Sequence, residues 1–176
     1  MTYNRCSRML ATMRTQTRRS IRVLAIDPGY DRLGIAVVEG DSSRPTLLWS
    51  DCVIPDKGTS AQRLSCVSNA ILEVIKEYSP DILAIETLFF SINKKTALKV
   101  AEARGAILAV AGNNLIPVME CSPQQVKLAV TGHGAADKKA IANMIPLLIS
   151  IPKKKRLDDE LDAIAIGITA LAIGIL

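Results

Sequence analysis

Residues 21–39 read IRVLAIDPGYDRLGIAVVE, and their pattern decides the fold. Ile21 to Ile26 is a β-rich run that stops at Asp27-Pro28-Gly29. Tyr30-Asp31-Arg32 turns the chain, and Leu33 to Glu39 is a second β-rich run. Together they predict a hairpin. Working outward, Leu47 to Ile54 reads as a third strand and PDKGTS at 55–60 as a loop. Ala61 to Tyr78 carries Leu64, Val67, Ile71, Leu72 and Ile75 at the spacing of an amphipathic helix. PDILAIE at 80–86 predicts a buried strand introduced by proline, residues 94–111 a helix, and Leu115 to Met119 a fifth strand. Two further helices follow, near Pro123–Val130 and Asp137–Leu148. Three antiparallel strands followed by alternating helices and strands predict an α/β fold, a mixed five-stranded sheet with helices on both faces. Residues 21–176 are read as one domain, with no internal repeat.

The end of the chain is ambiguous by pattern alone. LDDELDAIAIG at 157–167 packs four acids into five residues, and AIAIGITALAIGIL at 163–176 then alternates Ala and Ile as a strand would. Its length and Leu/Ala content favour a buried helix, and acids at the start of a helix gain from its dipole. Fourteen residues are too few to cross a bilayer comfortably. On such a helix Asp159 and Asp162 share a face, as do Asp158 and Asp162.

Charge is unevenly spread. Five of the 22 Lys and Arg residues fall in the acid-free stretch 1–20, so the formal charge of +5 belongs to that arm. The arm has some of the flavour of a transit peptide but is read as a disordered basic extension, and it carries no fold argument. Residues 87–156 hold eleven basic groups against three acids, whereas 21–86 hold six against ten. A basic middle between acidic ends suits either a phosphate-binding surface around an acidic pocket or simply solvated faces. Cys6, Cys52, Cys66 and Cys121 form no CxxC pair, which points away from a zinc site or disulfide framework and toward a reducing cytoplasmic setting.

Asp27 ends the first predicted strand, Glu86 ends the fourth, and Asp159 and Asp162 begin the last helix. Carboxylates converging from these places would repel and take up protons unless cations filled the cluster, and oxygen-only ligands favour Mg²⁺ or Mn²⁺ over zinc. Blander roles stand beside this one. Asp27 could shape a turn, Glu86 could pair with a lysine, and Asp158-Asp159-Glu160 could cap a helix.

Four blocks, LAIDPGYDRLGIAVV at 24–38, PDILAIETLFFSINKKTALKVAEARGAI at 80–107, VKLAVTGHGAADK at 126–138 and LDDELDAIAIGIT at 157–169, together resemble the RuvC family of Holliday-junction resolvases. The resemblance runs from about Val23 to Thr169. It implies a ribonuclease-H-like fold, a homodimer, and a metal-dependent endonuclease that nicks opposing strands of four-way junction DNA. Whether a branch-migration motor complex is a further partner is left open by the sequence. By motif it assigns Asp27, Glu86, Asp159 and Asp162 to two Mg²⁺ ions, or Mn²⁺, with Asp158 and Glu160 as competing choices for Asp159. Lys127 and Lys138 match lysines that lie by the DNA and assist at the active site. Phe89 matches an aromatic at the junction crossover, with Phe90 the buried member of the pair. Lys94, Lys95, Lys99 and Arg104 are read as backbone contacts or a solvated helix face, and His133 as a loop or DNA-proximal residue. The basic run Lys153–Arg156 could instead satisfy the neighbouring acids.

Two other classes compete. A catalytically inactive, architectural junction binder would keep the DNA contacts without cutting, against which the intact acid set argues. An actin-like ATPase also opens with an Asp-containing glycine turn but needs two lobes and about twice this length.

Overall fold

The computed structural model describes residues 20–88 and 94–174, without the side chains of 94–96. Its sheet is built from β1 (Ile21–Asp27), β2 (Leu33–Gly40), β3 (Thr46–Val53), β4 (Ile82–Glu86) and β5 (Val118–Cys121), in the order β3-β2-β1-β4-β5. The predicted hairpin forms: β1 and β2 pair antiparallel from Ile21 opposite Gly40 to Asp27 opposite Gly34. β3 extends this antiparallel half, while β4 and β5 run parallel to β1. Five helices complete the described residues: α1 (Ser60–Tyr78), α2 (Lys94–Asn113), α3 (Pro123–Thr131), α4 (Lys138–Leu148) and α5 (Asp158–Ile173).

Alternation along β1 explains why the sheet is covered on both faces. Leu24 and Ile26 point into one core with Ile35, Leu83, Ile85, Ile71 of α1 and Ile107 of α2. Val23 and Ala25 point the other way, into a core shared with Ala36, Val38, Ala84, Ile141, Ile145 and the apolar length of α5. This second face is lined by alanines because α5 lies very close to it. A Cβ added at Gly167 would come within 2.6 Å of the Val38 Cγ2 and 3.3 Å of the Ala25 Cβ. The Ala/Ile alternation of the final segment is therefore that of a helix buried from Ala163 to Leu171.

Local chemistry sets the helix starts. Thr59 with Gln62, and Ser122 with Gln125, form reciprocal capping boxes, and the Asp137 side chain accepts from the Ala140 amide. The expected strand at Leu115–Met119 is displaced to Val118–Cys121. Helix α2 runs on to Asn113, and Leu115 takes a left-handed φ of 56° in the turn that follows. No helix among the described residues is long and apolar enough to cross a membrane.

Candidate active site

The parallel pairing of β1 and β4 runs in register to Ile26 opposite Ile85, so Asp27 and Glu86 leave neighbouring strands at the same edge. This carboxyl edge of parallel strands is where α/β sheets commonly place their sites. The first turn of α5 reaches the same edge because residue 34 is glycine: a Cβ there would sit 1.9 Å from the Asp159 carbonyl oxygen and 3.3 Å from the Asp27 Cβ. The hairpin thus seats the helix that carries the other two acids.

Asp27 feels this company strongly. Burial first, then the charges of Asp162, Glu86 and Asp159, raise its pKa from 3.8 to about 7, with Lys138 opposing. Glu86 is also pushed up, by burial and by Asp162, against the pull of Lys138 and Lys127. The four carboxylates form one electrostatic unit, and both expected lysines face it. Lys138 donates to the Asp162 Oδ2 at 2.7 Å, while the Arg32 Nε stands 3.1 Å from the Asp159 Oδ2.

Asp158 and Glu160 separate cleanly from Asp159. Asp158 is exposed and borders a shallow cleft of 160 Å³ with Lys138, Lys139 and Asp162. Glu160 turns into the protein, its side chain only 5% exposed, where it accepts from the Ser50 Oγ at 2.6 Å and pairs with Lys154 and Arg156 at 2.9 and 3.1 Å. The Arg156 side chain is equally buried and also donates to the Pro152 carbonyl. Of the basic run before the acids, Arg156 is therefore internal structure, while Lys154 reaches Glu160 from the surface. Nothing in the sequence pattern pointed to Ser50 as its partner across the sheet.

Other expected residues fall in different places. Arg104 does not present a free charge: 13% exposed, it pairs with Glu120 at 2.9 Å and approaches the Glu86 carbonyl, bracing the end of β4. The Lys99 Nζ lies 4.8 Å from the centre of the Tyr30 ring, beside the turn between β1 and β2. His133 is exposed in the loop before α4, its Nδ1 accepting from the Ala135 amide. Phe89, Phe90 and the side chains of Lys94 and Lys95 lie outside the described residues, as does the arm at 1–19. Two arginines that the motifs did not single out have roles here: Arg32 meets Asp159, and Arg63 organises the turn. Arg63 donates to the Tyr30 carbonyl, pairs with Asp31 and reaches the carbonyls of Pro55 and Asp56.

The donor set suits a hard divalent cation: oxygen only, half-buried, and carrying more negative charge than its lysines cancel. One oxygen is visibly unsatisfied, since the buried Asp159 Oδ2 has no hydrogen bond despite its ion pair. Among the described residues no group of three such side chains stands in ion-holding geometry. Arg32 and Lys138 engage Asp159 and Asp162 instead.

Two expectations follow. Because folded Asp27 retains a proton that the unfolded chain has already lost, metal-free stability should fall as pH rises from about 4 to 7 and level off above. The change attributable to Asp27 is no more than about 4 kcal/mol, and millimolar Mg²⁺ should flatten it; denaturant titrations at pH 5 and 7.5 check this. Gly34→Ala should cost roughly 1–3 kcal/mol and weaken Mn²⁺ binding, whereas Gly105→Ala, where a Cβ meets nothing within 4 Å, should be neutral or mildly stabilising.

Comparison with known proteins agrees with this geometry. The family model described as crossover junction endodeoxyribonuclease RuvC matches residues 23–170. The crossover junction endodeoxyribonuclease of Thermosipho melanesiensis is 40% identical over 148 residues, 84% of this chain and 94% of that protein. That of Thermomicrobium roseum is 38% identical over 84% of this chain and 91% of its own length. Among solved structures, T. thermophilus RuvC in complex with a Holliday junction superposes with a TM-score of 0.80 at 32% identity, covering 85% of this chain and 92% of that one. The yeast mitochondrial Holliday junction resolvase, at 12% identity and a TM-score of 0.62, shares the fold, covering 85% of this chain and 78% of its own. A ribonuclease-H-like sheet with four acids at one edge, matched by model and by relatives over most of its length, places this chain in the RuvC family of crossover junction endodeoxyribonucleases.

Proposed function

We propose that this chain resolves four-way DNA junctions by nicking two opposing strands, with Asp27, Glu86, Asp159 and Asp162 holding two Mg²⁺ ions, or Mn²⁺, in each subunit of a homodimer. The observation that carries this reading is the convergence of Asp27 and Glu86, from neighbouring strands, with the first turn of α5 at one sheet edge, where burial and the three acidic neighbours raise the Asp27 pKa. Bound at these oxygens, the cations would supply an activated water and stabilise the leaving 3′ oxygen of the scissile phosphate. No nucleophilic side chain is needed.

The chain's own residues then have distinct tasks. Asp27, half-protonated near neutrality in the free protein, gives up that proton when cations enter, so binding releases protons. Lys138, hydrogen-bonded to Asp162, and Lys127, facing Glu86, offer positive charge to the phosphate as negative charge builds on it. Lys99 on α2 is a candidate backbone contact beside the β1–β2 turn, Lys94 and Lys95 are proposed as further backbone contacts, and Phe89 as the aromatic at the crossover. The homodimer follows from the substrate: opposing strands of a junction are related by a two-fold axis, which two copies of one site match. A branch-migration motor would fit the same scheme as the partner that moves the crossover to the dimer.

Cleavage of a synthetic mobile four-way junction, beside a duplex of the same sequence and with Mg²⁺, Mn²⁺ or chelator, tests the proposal. Symmetrical nicks on the junction alone, and only with metal, are expected. Tight binding without nicks under either metal would favour the architectural alternative.

A further inference from the structure

We infer that Arg32 is a positioning residue that stands in for the cation at Asp159, so that metal entry requires its displacement and Arg32 sets the protein's cation affinity. The inference rests on the reading of Asp159 as a metal ligand. Its first support is the contact itself. The Arg32 Nε lies 3.1 Å from the Asp159 Oδ2, with the arginine side chain 46% and the aspartate 21% exposed. The oxygen it faces receives no hydrogen bond. Arg32 therefore balances charge without satisfying the carboxylate, and a cation entering there would gain coordination that the arginine does not supply.

The second support is that the turn holds Arg32 where it is. A Cβ at Gly29 would sit 2.0 Å from the Arg32 carbonyl oxygen, so this bend closes tightly on glycine. Arg63 fixes the residues between by donating to the Tyr30 carbonyl at 2.8 Å and pairing with Asp31 at 2.9 Å, and its guanidinium lies 4.6 Å from the Tyr30 ring centre. On the other side, Glu160 anchors the first turn of α5 through Ser50, Lys154 and Arg156. With both backbones held, the contact can change by rotation of the Arg32 and Asp159 side chains. Asp162 has its own counter-ion in Lys138, so Asp159 and Asp162 are each engaged by one chain cation before metal arrives.

Calorimetric Mn²⁺ titration of the whole chain without DNA tests this, on wild type, Arg32→Gln, Lys139→Gln and Asp159→Asn. Melting curves in chelator verify that each variant folds. Arg32→Gln should tighten Mn²⁺ binding about fivefold, the scale of a part-exposed ion pair. Lys139→Gln, which removes the same charge from the exposed first turn of α4, should change it by less than about twofold. Asp159→Asn should weaken it. If Asp159→Asn weakens binding but Arg32→Gln leaves it unchanged or weaker, the inference fails while the ligand assignment stands. Equal tightening by Arg32→Gln and Lys139→Gln would also overturn it, by showing only a general field. If Asp159→Asn has no effect, the ligand assignment fails and the inference with it.

Discussion

Asp27→Asn should lower junction nicking by roughly a thousandfold or more, about 4 kcal/mol of barrier, while the metal-free protein melts higher at pH 7.5. The opposite signs are the point. Burial and three acidic neighbours raise the Asp27 pKa to about 7, so the charged carboxylate is destabilising in the empty site. Asparagine keeps the shape and removes that charge, which stabilises the fold, but it takes away the anionic oxygen that a divalent cation needs. At pH 5, where Asp27 is already protonated, the gain in melting temperature should largely vanish. Junction binding should persist in the variant, since the basic surface is untouched. A variant that loses both activity and stability would show Asp27 to be a structural turn residue.

Glu160→Ala has the largest expected effect on the fold. It strips the buried Arg156 guanidinium of its carboxylate and leaves the Ser50 hydroxyl without its 2.6 Å partner. Removing one member of a buried pair costs about 3–5 kcal/mol, which for a chain of this size lowers the melting temperature by about 10 °C. Lys154, 46% exposed, adds little because water screens it. Replacing both partners by apolar residues, Glu160→Leu with Arg156→Met, should recover most of the loss, since the penalty lies in the stranded charge. Because Glu160 immediately precedes the Asp162 turn and follows Asp159, Glu160→Ala should also reduce nicking about 10- to 100-fold at temperatures where it remains folded. A melting temperature within about 2 °C of wild type would refute the clamp.

The hairpin, the helix α1 and the three capped starts were legible because each depends on neighbours in sequence: alternation at 21–39, apolar spacing at 64–75, and Thr59, Ser122 and Asp137 before their helices. Helix periodicity also carried part of the site. At about 100° per residue, Glu160 lies nearly opposite Asp162, so its burial away from the cluster could have been inferred once the helix was granted. Asp158 and Asp159 lie only one residue apart on that wheel, and pattern could not choose between them. Gly34 seats Asp159 beside Asp27, through a close approach between a hairpin and a helix 125 residues later in the chain. The ion pair of Arg104 was hidden for the same reason. Its partner Glu120 sits on β5, and a charge on a helix discloses nothing about a carboxylate brought to it by the sheet. Arg32 and Arg63 left no motif, because one meets a carboxylate brought to it by a distant helix and the other holds the backbone of a single turn.

The most direct measurement of the central claim is the anomalous diffraction of crystals soaked in Mn²⁺. The account predicts manganese peaks bounded by Asp27, Glu86, Asp159 and Asp162, with the Arg32 side chain turned away from Asp159. Manganese bound elsewhere, with these four carboxylates still paired to Arg32 and Lys138, would contradict it.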